Sequence, residues 1–236
     1  MNAQTNSRDK LKKIVATGVF AAFAYICCVL FHFRVSFLSF ELKDAVMAVG
    51  AMSLGPIAGG AMVVIVCLVE LVTISSTGVY GLVMNLLSSL TYVCIGSAVY
   101  HRHRTMRGAI AATIAASVAT VLVMIGANCV ITPAYMHVQT ADVVAMIPTL
   151  LLPFNVTKAV FNSAVVFLLY KPVTGALISA GFLPRRAPIS AEVVHAPVPS
   201  GKGRGRRLLV PVISGVIAVA CLLYFFLALN GSFTLR

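Results

Sequence analysis

Three polar side chains stand out in an apolar segment of the chain, LLPFNVTKAVFNSAVVFLLYK (151–171). They are Asn155, Lys158 and Asn162. A Lys at the centre of a membrane helix costs about 2.5–3.5 kcal/mol on insertion scales, so such a residue is usually functional or paired. Their spacing of i, i+3 and i+7 places the three on one narrow stripe of a helix. The stripe therefore predicts one wall of a polar cavity.

Polar groups also interrupt three other apolar segments, at Glu70, Asn85 and Asn128. The topology inferred below places each of them in the outer half of the membrane, at the depth of Asn155 and Lys158. Carboxylate, amide and amine groups offer hydrogen-bond donors and acceptors to a small molecule, so we predict a cavity that opens outward. Two structural alternatives stay open. The Asn side chains would then only bond neighbouring helices, at around 0.6 kcal/mol each, or Lys158 and Glu70 would form a purely structural ion pair.

The elements that must position these groups are membrane helices. Hydrophobic residues make up 60% of the 236 residues and charged residues only 10%, whereas a soluble domain carries about 25% charged residues. Long apolar blocks between helix breakers predict seven membrane segments. The segments are residues 14–31, 44–54, 57–74, 80–100, 108–132, 151–170 and 208–229. The expected fold is an all-α integral membrane protein, with a six-helix bundle and one appended C-terminal transmembrane helix.

The net charge of +12 is concentrated before the first segment, in the loop HRHRTMR (101–107), and between residues 171 and 207. Basic loops face the cytoplasm, so this distribution predicts a cytoplasmic amino terminus and argues against nucleic acid as a partner. Pro, Gly and Arg residues mark an inner linker before the last helix. The predicted organisation is a cytoplasmic amino terminus (1–13), a membrane domain (14–172), a cytoplasmic linker (173–207), an extra helix (208–229) and an extracellular tail (230–236).

Catalytic and nucleotide-binding motifs are missing from the sequence. GKGRGRR (201–207) lacks the frame of a phosphate-binding loop, and neither a zinc-protease nor a hydrolase nucleophile motif occurs. We therefore expect a non-enzymatic protein without a metal or cofactor, and any ATP hydrolysis must come from another chain. Gly18 and Ala22, with Ala21 nearby, form a small-residue surface on the first helix. This surface suits either a partner helix or packing within the chain.

The chain resembles the substrate-binding (S) components of energy-coupling factor (ECF) vitamin transporters, specifically the riboflavin-binding type. The resemblance covers about residues 10–173. Its strongest part is LLPFNVTKAVFNS (151–163), and support comes from ELKDAVMAVGAMSLGPIAGG (41–60), SSTGVYGLVMN (75–85) and ANCVITPAY (127–135). The resemblance implies a six-helix S component in a bacterial cell membrane that captures riboflavin from outside, beneath a gating loop between its first two helices.

The resemblance also assigns roles to individual residues. Asn128, Asn155 and Lys158 would hydrogen-bond the flavin ring system, Leu42 and Asp44 would belong to the loop that closes over it, and Phe154 or Leu42 would contact its apolar end. The first helix, at Gly18, Ala21 and Ala22, would dock a transmembrane coupling subunit that works with two ATPase subunits. Three features depart from the family pattern: Ala45 follows Asp44 where a proline is common, Glu70 is acidic, and the seventh helix is an addition.

Two other functions remain open on the sequence. The chain would be an S component for another vitamin or aromatic solute if the cavity residues differ in detail from the riboflavin type. From a different class, it would be a membrane assembly protein if its polar residues only bond helices together.

Overall fold

The computed structural model describes residues 2–180, 203–229 and 232–233, and the helices of this part match the expected all-helical membrane architecture. Most of the predicted linker and of the predicted tail lies outside the described residues. The helices are α1 (Asn2–Leu30), α2 (Lys43–Leu54), α3 (Pro56–Thr73), α4 (Gly78–Arg102), α5 (Met106–Met136), α6 (Thr140–Ala145), α7 (Leu152–Ser179) and α8 (Gly203–Leu227). A π-helical turn (Ile147–Leu151) leads directly into α7.

Six helical stretches in the described part of the chain are long and apolar enough to cross a membrane. They are Lys10–Leu30, Pro56–Thr73, Gly78–Arg102, Met106–Met136, Ile147–Ser179 and Val210–Leu227. The short α2 completes a six-helix core, to which α8 is appended. Large apolar side chains cover the outer faces of these helices, as expected where lipid replaces water. The fold class predicted from the apolar segments is therefore confirmed.

The segment between α1 and α2 is a β-hairpin, made of β1 (His32–Val35) and β2 (Leu38–Glu41). Its turn contains Ser36 with φ of 53°, a left-handed conformation that is uncommon outside glycine. A third strand, β3 (Ser232–Phe233), pairs antiparallel with the other edge of β1, and this gives the strand order β2-β1-β3. The segment that follows α8 thus pairs with the hairpin.

The predicted break between the second and third membrane segments lies at Gly55. Its φ of 107° is a conformation that side chains rarely adopt. Pro56 then begins α3, at a position where a missing N–H is tolerated. Close packing of α3 depends on Gly59, because a Cβ there would lie 2.5 Å from the Cβ of Ala51 and 2.9 Å from Cγ1 of Val93.

Two helices extend beyond their predicted limits. The α7 helix continues past residue 170 to Ser179 with Pro172 inside it, so the first residues of the predicted linker are helical. Proline removes one backbone hydrogen bond, but helices can continue past it, and Ala176 and Leu177 have high helix propensity. The α8 helix begins at Gly203 rather than residue 208, because the Arg residues of this stretch also favour helix.

Candidate ligand-binding site

A cavity of about 780 Å³, counting its open mouth, lies between the hairpin, the α3–α4 turn, α5 and α7. Five of the residues singled out in the sequence line it, namely Glu70, Asn85, Phe154, Asn155 and Lys158. The structure therefore brings together polar groups that belong to three different helices.

Lys158 links the cavity to the hairpin. Its amine donates a hydrogen bond to the backbone carbonyl of Ser39 in β2 at 3.2 Å, and it lies 3.7 Å from a carboxylate oxygen of Asp44. The ion pair considered from the sequence joined Lys158 to Glu70, but the carboxylate paired with Lys158 is that of Asp44. This arrangement fixes the amine at the cavity wall, where a donor remains available to a ligand because an ammonium group carries three.

The two amides on the cavity wall present their oxygens. Asn155 donates its Nδ2 hydrogen bond to the carbonyl of Leu151 at 2.8 Å, and Asn85 donates to Oε1 of Glu70 at 2.8 Å. Each amide has then used one of its two N–H donors on the protein. The wall can offer amide oxygens as acceptors and the Lys158 amine as a donor.

A buried charge cluster lies behind this wall, and the sequence interpretation missed it. Glu41 and Lys43 fall in the loop predicted between the first two membrane segments, yet both are fully buried. The amine of Lys43 contacts a carboxylate oxygen of Glu41 at 2.5 Å and also contacts Glu70. The charges in the run ELKD (41–44) are typical of a solvated loop, and only the approach of Glu70 on α3 accounts for their burial.

The buried charges do not balance. Among the described residues, five charged side chains are buried: the carboxylates of Glu41, Asp44 and Glu70 and the amines of Lys43 and Lys158. Three negative and two positive groups give a formal charge of −1. With all five groups ionised, such a site would disfavour an anionic ligand relative to a neutral or cationic one.

The buried charge cluster is poorly suited to binding a metal ion. Cys28, Glu41 and Glu70 bring possible ligand atoms within 4.8 Å of one another. The Lys43 amine, however, already contacts both carboxylates. A cation is thus supplied by the chain itself.

Four predicted binding residues are not brought to the cavity. Asn128 is buried with its amide satisfied within α5, because Nδ2 donates to the Met124 carbonyl and Oδ1 accepts from Thr132. Asp44 lies behind the cavity wall, where its Oδ1 accepts a hydrogen bond from the Ser89 hydroxyl at 2.5 Å. The other two are Leu42, half-buried against the hydrophobic core, and Asn162, which is buried beneath the cavity-lining stretch of α7. Direct ligand contact by these four stays a prediction.

Hydroxyl groups form the mouth of the cavity and were not recognised as site residues. The run Ser75, Ser76 and Thr77 connects α3 to α4 and also lines the cavity. Tyr80 and Tyr135 stand beside it with ring centres 5.8 Å apart. The position of this polar run, shortly after Glu70 in the sequence, could have indicated that it belongs to the site.

The small-residue surface of α1 is divided between two faces. Gly18 and Ala22 are exposed, and no atom lies within 4 Å of a Cβ built on Gly18. Ala21 is buried in the core of the chain. Only the first two are therefore available to another helix.

Comparison with known proteins assigns the chain to a family. The family model for the substrate-specific component of ECF transporters matches residues 12–170. A solved structure of the S component of a bacterial ECF transporter has a similar fold, with a TM-score of 0.61 and 20% identity over 71% of this chain and 98% of that one. No curated protein matches the chain. The chain belongs to the substrate-specific components of ECF transporters, multi-pass, non-enzymatic membrane subunits that bind substrate and associate with an energy-coupling module.

Proposed function

We propose that this S component captures riboflavin from outside the cell. The observation that carries the proposal is the juxtaposition of Asn155 and Lys158 with Phe154 on one cavity wall. The pyrimidine edge of a flavin presents carbonyl acceptors and an N–H donor. The Lys158 amine matches a carbonyl and the Asn155 oxygen matches the N–H.

The rest of the cavity suits the other two parts of riboflavin. Phe154, Leu38, Met84 and Met124 provide apolar surface for the dimethylbenzene end of the ring. Hydroxyl groups at the mouth, such as that of Ser75, would form hydrogen bonds with the hydroxyls of the ribityl chain. The formal charge of −1 in the buried cluster favours neutral riboflavin over its phosphate ester.

The transport cycle follows from the proposed orientation, with the amino terminus in the cytoplasm and the hairpin outside. Riboflavin enters at the mouth, and the hairpin closes over it. A coupling subunit docks on the exposed face around Gly18 and Ala22, and two ATPase subunits drive reorientation of the S component. This chain carries no phosphate-binding loop, so it does not hydrolyse ATP itself.

Purification in detergent tests the substrate directly. We expect a yellow protein, or one that quenches added riboflavin fluorescence with a stoichiometry near one. Asn155→Ala should weaken binding at least tenfold, since a buried polar contact to a ligand is lost. Val160→Ala is the matched control, because Val160 lies on α7 but faces outward. Absence of quenching by the wild type, or equal binding by Asn155→Ala and Val160→Ala, would refute the riboflavin assignment.

A second candidate substrate is an aromatic vitamin that carries a positive charge. The carboxylate of Glu70 on the cavity wall and the uncompensated negative charge behind it favour this alternative. Thermal stabilisation by thiamine but not by riboflavin would support it. No stabilisation by any aromatic vitamin, together with reduced stability of Asn155→Ala and Lys158→Ala, would point to the assembly role, in which these residues only bond helices together.

A further inference from the structure

The appended helix α8 and the strand that follows it contact two of the elements that line the cavity. It lies outside the matched family region of residues 12–170, so the family does not explain its presence. In the structure α8 packs along α7, and the chain beyond it pairs with β1 of the hairpin through β3. This helix and the strand after it therefore contact two elements that line the cavity, the hairpin and α7.

Phe225 is the principal contact between α8 and the site. It is fully buried, whereas its neighbours Tyr224 and Leu227 are 45% and 78% exposed. Its ring centre lies 4.9 Å from that of Phe40 in β2 and 6.4 Å from that of Phe154 in α7. Offset and tilted aromatic contacts at these separations are favourable beyond the area they bury.

These contacts place α8 behind the closed hairpin. Leu38 and Ser39 in β2 line the cavity, while the next residue, Phe40, turns into the aromatic cluster with Phe154 and Phe225. Phe154 belongs both to the cavity wall and to this cluster. Movement of the hairpin away from the cavity would separate Phe40 from the Phe225 ring.

We propose that α8 and β3 brace the hairpin over the cavity and that Phe225 is the positioning residue of this brace. The contacts of Phe225 with Phe40 are made in the closed arrangement and are lost when the hairpin lifts. A contact present in only one of two states shifts their equilibrium towards that state. The brace therefore slows opening of the site and sets the residence time of the ligand.

Hydrogen exchange in the ligand-free, full-length protein tests the brace without any assumption about the substrate. We expect Phe225→Ala to speed exchange of the hairpin amides (32–41) at least tenfold while exchange within α4 is unchanged. Tyr224→Ala, which truncates an exposed ring one residue away, should stay within twofold of wild type. Phe225→Leu should restore most of the protection, since it refills the buried space.

Equal hairpin exchange in Phe225→Ala and Tyr224→Ala would overturn the proposal. So would an increase spread evenly over the hairpin and α4, which would mean general loosening. If Phe225→Ala does not fold, Ser232→Pro serves instead, because proline at β3 removes a possible backbone donor and disturbs pairing with β1 without altering the helix. Unchanged hairpin exchange in that variant would also overturn the brace.

A kinetic measurement extends the test and rests on the proposed function. With riboflavin as the probe, the dissociation rate should rise at least tenfold in Phe225→Ala and remain within twofold in Tyr224→Ala. If riboflavin does not bind the wild type, the substrate assignment fails, and the exchange experiment still decides the brace. If riboflavin binds but dissociates equally fast from both variants, the brace fails and the substrate assignment stands.

Discussion

Lys43→Met is the most informative perturbation of the buried cluster. The side chain keeps its length but loses the charge that contacts both Glu41 and Glu70, and all three are buried. The formal charge of the five buried groups falls from −1 to −2. Removing one partner of a buried ion pair typically costs about 3–5 kcal/mol, because the remaining charge is left without compensation. For a chain of this size, that loss lowers the unfolding temperature by roughly 6–20 °C.

A thiol-reactive fluorescent dye provides the assay, because the cysteines are free and all are buried or half-buried. Lys171→Met, at an exposed position, is the matched control and should unfold within about 2 °C of wild type. Adding Glu41→Gln to Lys43→Met returns the cluster to −1 and should recover at least half of the loss. An unfolding temperature for Lys43→Met equal to that of Lys171→Met would refute the cluster as a determinant of stability. No recovery in the double variant would refute the charge explanation.

Four further substitutions probe the site and the packing of the helices around it. Glu70→Gln keeps an oxygen acceptor for Asn85 and removes the surplus negative charge, so we expect the unfolding free energy to change by less than about 1 kcal/mol. Ser89→Ala removes the hydroxyl that donates to the buried Asp44 carboxylate and should cost about 1–3 kcal/mol. Gly59→Ala should cost about 1–3 kcal/mol through overpacking, whereas Gly126→Ala in the open face of α5 should gain about 0.5–1 kcal/mol.

Thermal unfolding in the same detergent measures all of these changes. A loss for Glu70→Gln as large as that for Lys43→Met would show that the charge of Glu70 is required. Thr91→Ala removes an exposed hydroxyl that bonds only a carbonyl of its own helix; a similar result for Ser89→Ala would contradict the role given to Ser89. Equal effects of the two glycine substitutions would contradict the close approach of α3 to its neighbours.

Local patterns in the sequence were sufficient to predict the fold class and the break between α2 and α3. The apolar segments and the Gly55-Pro56 break depend on residues close together in the chain, and the fold class they predicted is confirmed. Of the resemblance, membership of the substrate-specific components of ECF transporters is also confirmed, while the riboflavin-binding type stays a prediction. Asn155 and Lys158 share a helical stripe, and the structure places both at the cavity, although their contact with a ligand stays a prediction.

Contacts between residues far apart in the chain could not be predicted from the sequence. Lys43 is buried beside Glu70, which lies 27 residues further along the chain. The local sequence around either residue does not predict this ion pair. Asn128 was expected at the cavity, but Thr132 in the next turn occupies its amide oxygen, which depends on a side-chain rotamer. The apolar composition of α8 predicted a membrane helix without saying which helix it packs on. Its contact through Phe225 emerges only from the tertiary arrangement.

The α2 helix is too short to cross a membrane by itself. Its 12 residues span about 18 Å, against roughly 30 Å of hydrocarbon. Where water is scarce, every backbone N–H and C=O on an open strand edge requires a partner. β3 supplies such partners along β1, and the Lys158 amine bonds the Ser39 carbonyl on β2. An added strand and a lysine thus supply hydrogen-bond partners to part of each open edge of the two-stranded hairpin.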